Sequence, residues 1–118
     1  MATAYMSAID MQNVVDGVAL RRMAHIAFIH EGKRGEFPLD AEEHWIGWND
    51  DCDILLPGNR WFATVVASIT WVNNRWQVQS ESRWRKLRVK DRVVDVYKLV
   101  DGDRITVSGI ELRFRESV

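Results

Sequence analysis

The alternation of hydrophobic and polar positions changes its period near residue 25. Upstream, apolar side chains recur at helical spacing, at Met6, Ile9, Val14, Val15, Val18 and Met23. Asp10 and Asp16 interrupt this run, whereas a secretory signal needs an unbroken apolar stretch. We therefore predict an N-terminal helix or a flexible arm over residues 1–24.

Downstream, short runs with a period of two predict β-strands. HIAFIH, residues 25–30, precedes EGKRGE, residues 31–36, whose two glycines we expect to form a turn. Residues 64–72 are rich in β-branched side chains, and residues 75–80 alternate apolar and polar positions. Together they predict a hairpin through Asn73-Asn74, because asparagine tolerates the left-handed turn conformation.

The end of the chain contains the clearest hairpin pattern. RITV and IELRF flank Ser108-Gly109, and the positions expected to share one face are Ile110, Leu112 and Phe114. Many short strands, two prolines and no alternation of strands with helices predict an antiparallel sandwich or barrel. We predict a mostly β fold, with one β-domain over residues 25–118 after the N-terminal helix or arm.

The composition is typical of one soluble globular domain. The chain has 118 residues, of which 47% are hydrophobic and 28% charged. This length suffices for one core and is too short for two. No stretch approaches the ~20 apolar residues that span a membrane. The single cysteine, Cys52, excludes an internal disulfide and a cysteine-based zinc site, and it favours a reducing, cytoplasmic location.

The formal net charge of −1 conceals an uneven distribution. Residues 1–59 carry four Lys/Arg against ten Asp/Glu, whereas residues 60–118 carry twelve against seven. Six of these bases lie between Arg83 and Arg92, which indicates either a solvated strand face or a surface for a partner. Binding of single-stranded nucleic acid along RWRKLRVK is a weaker alternative, because the acidic first half and the near-neutral total oppose it.

Residues 25–115 together resemble a forkhead-associated (FHA) domain, a β-sandwich whose loops at one end bind phosphothreonine peptides. WIGW resembles the family's Ile-Gly-Arg segment, CDILLPG its Cys/Asn-Asp-Ile-x-Leu segment, and VASITW its His-Ala-x-Ile segment. LRVKD resembles Leu-x-Val-Asn-Gly, and LVDGDRITVSGIELRF resembles the closing Leu-x-x-Gly-Asp-x-Ile hairpin, whose spacing is the most specific. The resemblance implies an FHA-like antiparallel β-sandwich that acts as a protein-interaction domain.

The resemblance also locates the positions that hold phosphate in the family, and this chain departs from the family at each of them. The family's Arg, Ser, His and two Asn stand here as Trp48, Ala63, Val66, Trp84 or Arg85, and Lys90. A charge-assisted hydrogen bond contributes roughly 1.5–3 kcal/mol. Loss of two or three weakens binding by ~4 kcal/mol, about a thousandfold. We therefore expect the scaffold without phosphothreonine recognition.

One branch of the family generally lacks these phosphate-binding residues. It comprises the cytoplasmic N-terminal domains of the type III secretion inner-membrane ring protein, and FIHEGKRGEFPL followed by IGWNDDCDILL is similar to their opening strands. This similarity implies a bacterial adaptor at the cytoplasmic face of the inner membrane, tethered through a segment outside this chain, with secretion-system or scaffold proteins as partners. The alternatives are another degenerate FHA adaptor or a phosphopeptide reader that uses substituted basic residues; homo-oligomerisation is compatible with each.

Six tryptophans are many for this length. Trp45, Trp71 and Trp76 lie in strand patterns, and we predict that they belong to the core. The resemblance places the other three, Trp48, Trp61 and Trp84, at the loop end that binds ligand, where they either fill the vacated phosphate pocket or anchor a protein partner. The predicted partner-binding residues at that end are Trp48, Arg60, Trp61, Arg83, Trp84 and Arg85.

Catalytic and metal-binding patterns find little support. The three histidines do not have the spacing of a metal triad or of a Ser-His-Asp or Cys-His arrangement. The acidic turn at Asp50, Asp51 and Asp53 lacks the glycine and the terminal glutamate of a calcium loop. Cys52 lies in that turn, which disfavours a thiolate, and we expect it to pack. We expect no enzymatic activity, no cofactor and no bound metal.

Overall fold

The computed structural model describes residues 23–58 and 64–117, which form eleven β-strands. Their bounds are β1 Ala24–His30, β2 Lys33–Pro38, β3 Glu43–Gly47, β4 Ile54–Leu55, β5 Val65–Val72, β6 Arg75–Ser80, β7 Leu87–Val89, β8 Arg92–Val93, β9 Val96–Lys98, β10 Arg104–Val107 and β11 Ile110–Glu116.

The strands form two sheets that share one core. The six-stranded sheet has the order β2-β1-β11-β10-β7-β8, and the five-stranded sheet has the order β4-β3-β5-β6-β9. All paired strands are antiparallel except β3 and β4, which run parallel. The predicted mostly β sandwich is confirmed.

Two of the predicted hairpins are confirmed, together with the residues that make their turns. Asn73 and Asn74, with φ of 52° and 63°, join β5 to β6. Ser108 and Gly109, with φ of 51° and 77°, join β10 to β11. Two consecutive positive φ angles between paired strands are the signature of a type I′ turn, whose twist matches that of the strands.

The first hairpin differs from the prediction. Its turn is Glu31-Gly32, with φ of 49° and 79°, so only one of the two glycines takes part. Gly35 lies inside β2 opposite Phe28, and a Cβ there would stand 2.5 Å from the Phe28 ring. The expectation that both glycines form the turn was wrong for Gly35, which instead leaves room for an aromatic ring.

Alternate residues of the strands fill the space between the sheets. Trp76 is fully buried, and Trp71 packs against it edge to face with ring centroids 5.2 Å apart. The predicted core position of Trp76 is confirmed, whereas the prediction for Trp45 was wrong, because 36% of that residue is exposed. The strand alternates, so Ile46 and His44 occupy the inward positions of β3 and turn Trp45 outward.

His44 connects the start of β3 to the loop after it. Its Nε2 accepts a hydrogen bond from the Ala41 N–H at 3.1 Å, so its Nδ1 carries the proton and donates to the Asp53 carboxylate. The second Asp53 oxygen accepts the Trp45 N–H at 2.8 Å. A buried polar side chain is thereby satisfied, and the β3–β4 loop is fixed against its own strand.

Residues 1–22 lie outside the described residues, and with them almost all of the predicted N-terminal helix or arm. The first described strand begins at Ala24, one residue before the start that we predict for the β-domain. Within the described ranges, no helix is long and apolar enough to cross a membrane.

Candidate functional site

Four chain connections meet at one end of the sandwich, which we call the loop end. They are the β3–β4 loop, the β4–β5 loop, the β6–β7 loop and the β10–β11 turn. The Trp48 N–H donates to the Thr64 carbonyl at 2.9 Å and joins the first two. Arg85 Nη1 donates to Ser108 Oγ at 2.8 Å and joins the last two. These contacts make one continuous surface from segments far apart in sequence.

A close backbone approach at Gly47 sets the position of the β3–β4 loop. A Cβ at this residue would stand 2.2 Å from the Thr64 carbonyl oxygen, so only glycine lets the two segments come together here. The pairing register of β3 with β5 also shifts between Ile46 and Gly47. This irregularity directs the next residue, Trp48, toward the interior of the loop end.

Trp48 stands where the family has its phosphate-binding arginine, and it is buried. Only 6% of the residue is exposed, and the side chain joins the hydrophobic core. Its indole Nε1–H donates to the Pro57 carbonyl at 2.9 Å, so its one hydrogen-bond donor is already engaged. Of the two interpretations of Trp48, the geometry fits the one in which it fills the pocket.

Arg85 covers Trp48 from the solvent side. The guanidinium carbon lies 4.9 Å from the indole centroid, within the range of a cation–π contact, and the residue is partly buried. The hydrogen bond to Ser108 fixes the other side of the guanidinium. Arg85 therefore contributes one positive charge to the loop end, and its guanidinium covers the buried Trp48 ring.

The β6–β7 loop projects a second tryptophan into solvent. Ser82 Oγ accepts hydrogen bonds from the N–H groups of Trp84 and Arg85, each at 3.2 Å, which fixes the backbone of this loop. The Trp84 side chain is 89% exposed. Arg83 and Lys86 on either side are exposed as well, and neither has an ion pair or hydrogen-bond partner within the described residues.

Two further positions that hold phosphate in the family, Val66 and Lys90, do not contribute to the solvent-facing part of the described loop end. Val66 is fully buried in the core. Lys90 lies in the β7–β8 turn, at the opposite end of β7 from Arg85, and its Nζ is 3.7 Å from Asp103 Oδ1. Ala63, and the predicted binding residues Arg60 and Trp61, lie outside the described residues. The described loop end thus unites four predicted residues, Trp48, Arg83, Trp84 and Arg85, and only the last three face solvent.

Cys52 is a packing residue of the β3–β4 loop. It is buried, and its N–H donates to the Asn49 carbonyl at 2.9 Å. Burial raises the pKa of the Cys52 thiol, and the negative charges of Asp53 and Asp51 raise the pKa further, while the Asn49 contact lowers it. The thiol is therefore protonated at neutral pH. The described residues contain no group of three or more His, Cys, Asp or Glu side chains placed to hold a metal ion.

The solved structures that are similar to this chain include FHA domains. No family model matches the chain, and no curated protein matches it. Among solved structures, an FHA domain studied for phosphothreonine-dependent interactions is similar, with a TM-score of 0.68 and 20% identity over 81% of this chain and 98% of that one. The FHA domain of CT664 from Chlamydia trachomatis is similar with a TM-score of 0.69 and 15% identity, over 81% and 99%. This sandwich has the FHA fold.

A third similar structure extends beyond the sandwich. EmbR of Mycobacterium tuberculosis, in complex with a low-affinity phosphopeptide, matches with a TM-score of 0.67 and 23% identity. The match covers 98% of this chain but 29% of the EmbR chain. Identities at this level show the shared FHA fold and nothing about ligands.

Two residues of the loop end were missed by the sequence analysis. Ser82 and Ser108 are small polar residues in loops, and both contact Arg85. Ser82 had a local signal, because a serine whose hydroxyl accepts hydrogen bonds from the N–H groups two and three residues later is typical of a serine turn. Ser108 had none, since its contact with Arg85 joins the β10–β11 turn to the β6–β7 loop and depends on the fold.

Proposed function

We propose that this domain is a non-enzymatic protein-interaction module that binds its partner through the loop end without requiring phosphothreonine. The observation that carries the proposal is Trp84, which is 89% exposed on a loop fixed by Ser82. The ring presents a large apolar area to water, and burial of such area is favourable. Burial against a partner would remove this area from water, and tryptophan and arginine dominate the binding energy of protein interfaces.

The state of Trp48 supports the second part of the proposal. A phosphate needs charged or N–H donors directed at one point, and charge-assisted bonds of this kind provide most of its binding energy. Trp48 instead fills its position with an apolar ring whose N–H is bound to Pro57. Val66 is buried and offers no donor. The family's arrangement for phosphate is therefore replaced by packing.

A second candidate function is favoured by the charges of the β6–β7 loop. Arg83, Arg85 and Lys86 place three cations within four residues, and such a cluster could bind a phosphopeptide with a different geometry. Arg85 is already bound to Trp48 and Ser108, which leaves Arg83 and Lys86 as the exposed charges. No described contact directs these two side chains at one point, so they provide charge without the convergence that selects a phosphate.

The finer role, a cytoplasmic scaffold domain of a bacterial secretion system, stays a prediction. It is supported by the similarity of the segments around β1, β2 and β3 to the type III secretion ring domains. An adaptor of that kind needs a partner surface and no catalytic group, and the loop end is compatible with this.

The experiment uses the immobilised domain to capture proteins from a lysate, half of which has been treated with a phosphatase. We expect the same proteins to be captured from both halves, because recognition does not depend on phosphate. Trp84→Ala should reduce this capture by about tenfold or more, which is the effect of removing an interface anchor worth ~1.4 kcal/mol or more.

Trp45→Ala is the matched control, since Trp45 is a partly exposed tryptophan on the outer side of β3. It should leave capture unchanged. Capture that disappears after phosphatase treatment would support the phosphopeptide reader instead. Capture that Trp84→Ala and Trp45→Ala affect equally would show that the loop end is not the binding surface.

A further inference from the structure

The outer faces of the two sheets differ in charge. The pairing register places five arginines and no lysine at outward positions of the six-stranded sheet, together with Glu36 and Glu111. These arginines, which we call the arginine face, are Arg34, Arg88, Arg104, Arg113 and Arg115. The outward positions of the described five-stranded sheet carry hydroxyl, amide and apolar side chains, and the charged ones are Glu43, Arg75 and Lys98.

Much of the arginine face has no counter-charge. Glu111 lies 3.6 Å from Arg113, and Asp101 lies 3.6 Å from Arg115. The side chains of the other three, Arg34, Arg88 and Arg104, form no ion pair or hydrogen bond with any described residue.

The pairing of β10 with β11 adds to this imbalance. It sets Arg104 directly opposite Arg113, and like charges in this position destabilise a sheet. The Nε of Arg113 is moreover buried without an acceptor among the described residues. A face with this arrangement favours the approach of carboxylates or other anions.

The same chain provides a surface of the opposite charge. Residues 35–59 contain no lysine or arginine. Seven acidic residues of this segment are exposed. Glu36 lies at an outward position of β2, and we call the other six the acidic edge: Asp40, Glu42, Glu43, Asp50, Asp51 and Asp53. Asp40 lies 3.9 Å from His44 and Asp53 is hydrogen bonded to it, so His44 draws the two halves of the segment together beside β3 and β4.

The two surfaces cannot meet within one molecule. The arginine face points away from the five-stranded sheet, while the acidic edge follows the β3–β4 border of that sheet. We propose that the arginine face binds the acidic edge of a second copy of this chain. Guanidinium groups bind carboxylates through paired, directed hydrogen bonds, which suits arginine better than lysine for such a contact.

We expect the contact to be head to tail, with the arginine face of one copy on the acidic edge of the next. Contacts of this kind leave one free face and one free edge at the ends, so assembly continues into a ring or a filament. Other polyanions fit the face less well. Its outward positions in the described strands carry no Phe, Tyr or Trp, the side chains on which nucleic-acid bases stack or that anchor a protein in a membrane interface.

Sedimentation velocity of the whole chain tests the proposal. At low ionic strength we expect the average mass to rise with protein concentration, and at high ionic strength we expect monomers, because salt screens exposed charges. R88E/R104E and E42K/E43K should each weaken self-association by about tenfold or more. R75E/K98E, which changes the net charge as R88E/R104E does but lies on the other outer face, should associate like the wild type.

A mixture of the two defective variants tests whether the arginine face binds the acidic edge directly. R88E/R104E keeps its acidic edge and E42K/E43K keeps its arginine face, so together they form one intact junction. The mixture should give a one-to-one complex that grows no further. Circular dichroism of each variant checks that the sandwich is folded.

Three results would overturn the proposal: the wild type stays monomeric at low ionic strength, the R75E/K98E control also loses self-association, or the mixture of the two variants stays monomeric. Binding of the wild type to anionic lipid vesicles or to a poly-glutamate peptide without self-association would assign the arginine face to another partner. None of these results bears on the loop end, so the proposed function is tested separately.

Discussion

Trp48 and Trp84 carry the same side chain into opposite environments at the loop end. Trp48 is packed beneath Arg85 with its indole N–H bound to Pro57, whereas Trp84 projects into solvent. A tryptophan that fills a pocket contributes to stability, and the exposed Trp84 is the one that we propose to contribute to binding. Substitution of each therefore separates the two roles.

We predict that Trp48→Ala lowers the free energy of unfolding by about 3–5 kcal/mol, because it removes a buried aromatic ring and leaves the Pro57 carbonyl without its donor. Trp84→Ala should change it by no more than ~0.5 kcal/mol, as is usual for an exposed side chain. Urea denaturation measures both. Equal losses of unfolding free energy in the two variants would mean that packing of Trp48 does not stabilise the loop end.

Cys52 gives the domain a stability that depends on pH in the alkaline range. Its pKa is raised above the ordinary value of 9.0, mainly by burial, so the folded protein keeps a proton that the unfolded chain releases. Because the unfolded state then binds fewer protons, stability falls as the pH rises through the ordinary thiol pKa.

We predict that Cys52→Ala removes the part of the alkaline loss of stability that the thiol causes. The wild type should therefore lose more unfolding free energy than the variant between pH 7 and pH 10, a range that spans the thiol pKa, so that the difference between them shrinks or reverses. Urea denaturation across this range measures the difference. Other titrating groups act on both proteins alike and cancel. A difference that is constant with pH would show that the thiol does not titrate differently in the two states.

Individual residues were predicted well where the strand alternation decided them. Trp76 and the inward row of the last hairpin followed directly from a period of two. Trp45 was mispredicted because its hydrophobicity was given more weight than its phase relative to Ile46, which fixes His44 as the inward residue. The burial of His44 depends on Asp53, a partner that the sequence does not connect to it.

At the scale of elements, the turns determine where the strands pair. Four of the hairpin turns contain two consecutive residues with positive φ, and in the β7–β8 turn both are side-chain-bearing residues, Lys90 and Asp91, with φ of 53° and 64°. This conformation costs an L-residue with a Cβ roughly 1–2 kcal/mol. The β10–β11 turn has Gly109 at the equivalent second position, with φ of 77°.

We predict that Asp91→Gly stabilises the domain by about 0.5–1 kcal/mol, since glycine adopts positive φ without strain. Gly109→Ala should destabilise it by about 1 kcal/mol. A Cβ at Gly109 meets nothing within 4 Å, so this loss measures the backbone alone. Thermal or urea unfolding reports both shifts. If neither variant differs from the wild type, turn strain does not limit the stability of this fold.

The hairpins with a turn signal were predicted from the sequence, and the shorter elements were not. The turns at Asn73-Asn74 and Ser108-Gly109 could be predicted because asparagine and glycine readily adopt positive φ. The strands β4, β8 and β9 have two or three residues each, too few to show a period. The sheet order was not predictable from periodicity either, since non-local pairs such as β1 with β11 depend on the whole fold.

For the whole molecule, the structure separates three surfaces on one FHA fold. The loop end carries an exposed aromatic anchor among cations, the six-stranded sheet carries the arginine face, and the β3–β4 border carries the acidic edge. The near-neutral net charge of −1 does not reveal these opposed regions. Long-range charge of both signs on a rigid scaffold steers partners to defined surfaces and makes the contacts sensitive to salt.

Binding of phosphothreonine peptides shows whether phosphate recognition has been lost at Trp48. Fluorescence anisotropy compares binding of a degenerate phosphothreonine peptide library with binding of the same library unphosphorylated, at an ionic strength of ~0.15 M, where exposed charges are screened. We predict a preference for the phosphorylated library below tenfold, or less than ~1.4 kcal/mol. A preference of tenfold or more that Arg85→Glu abolishes would contradict it, because the loop end would then hold phosphate despite the buried tryptophan.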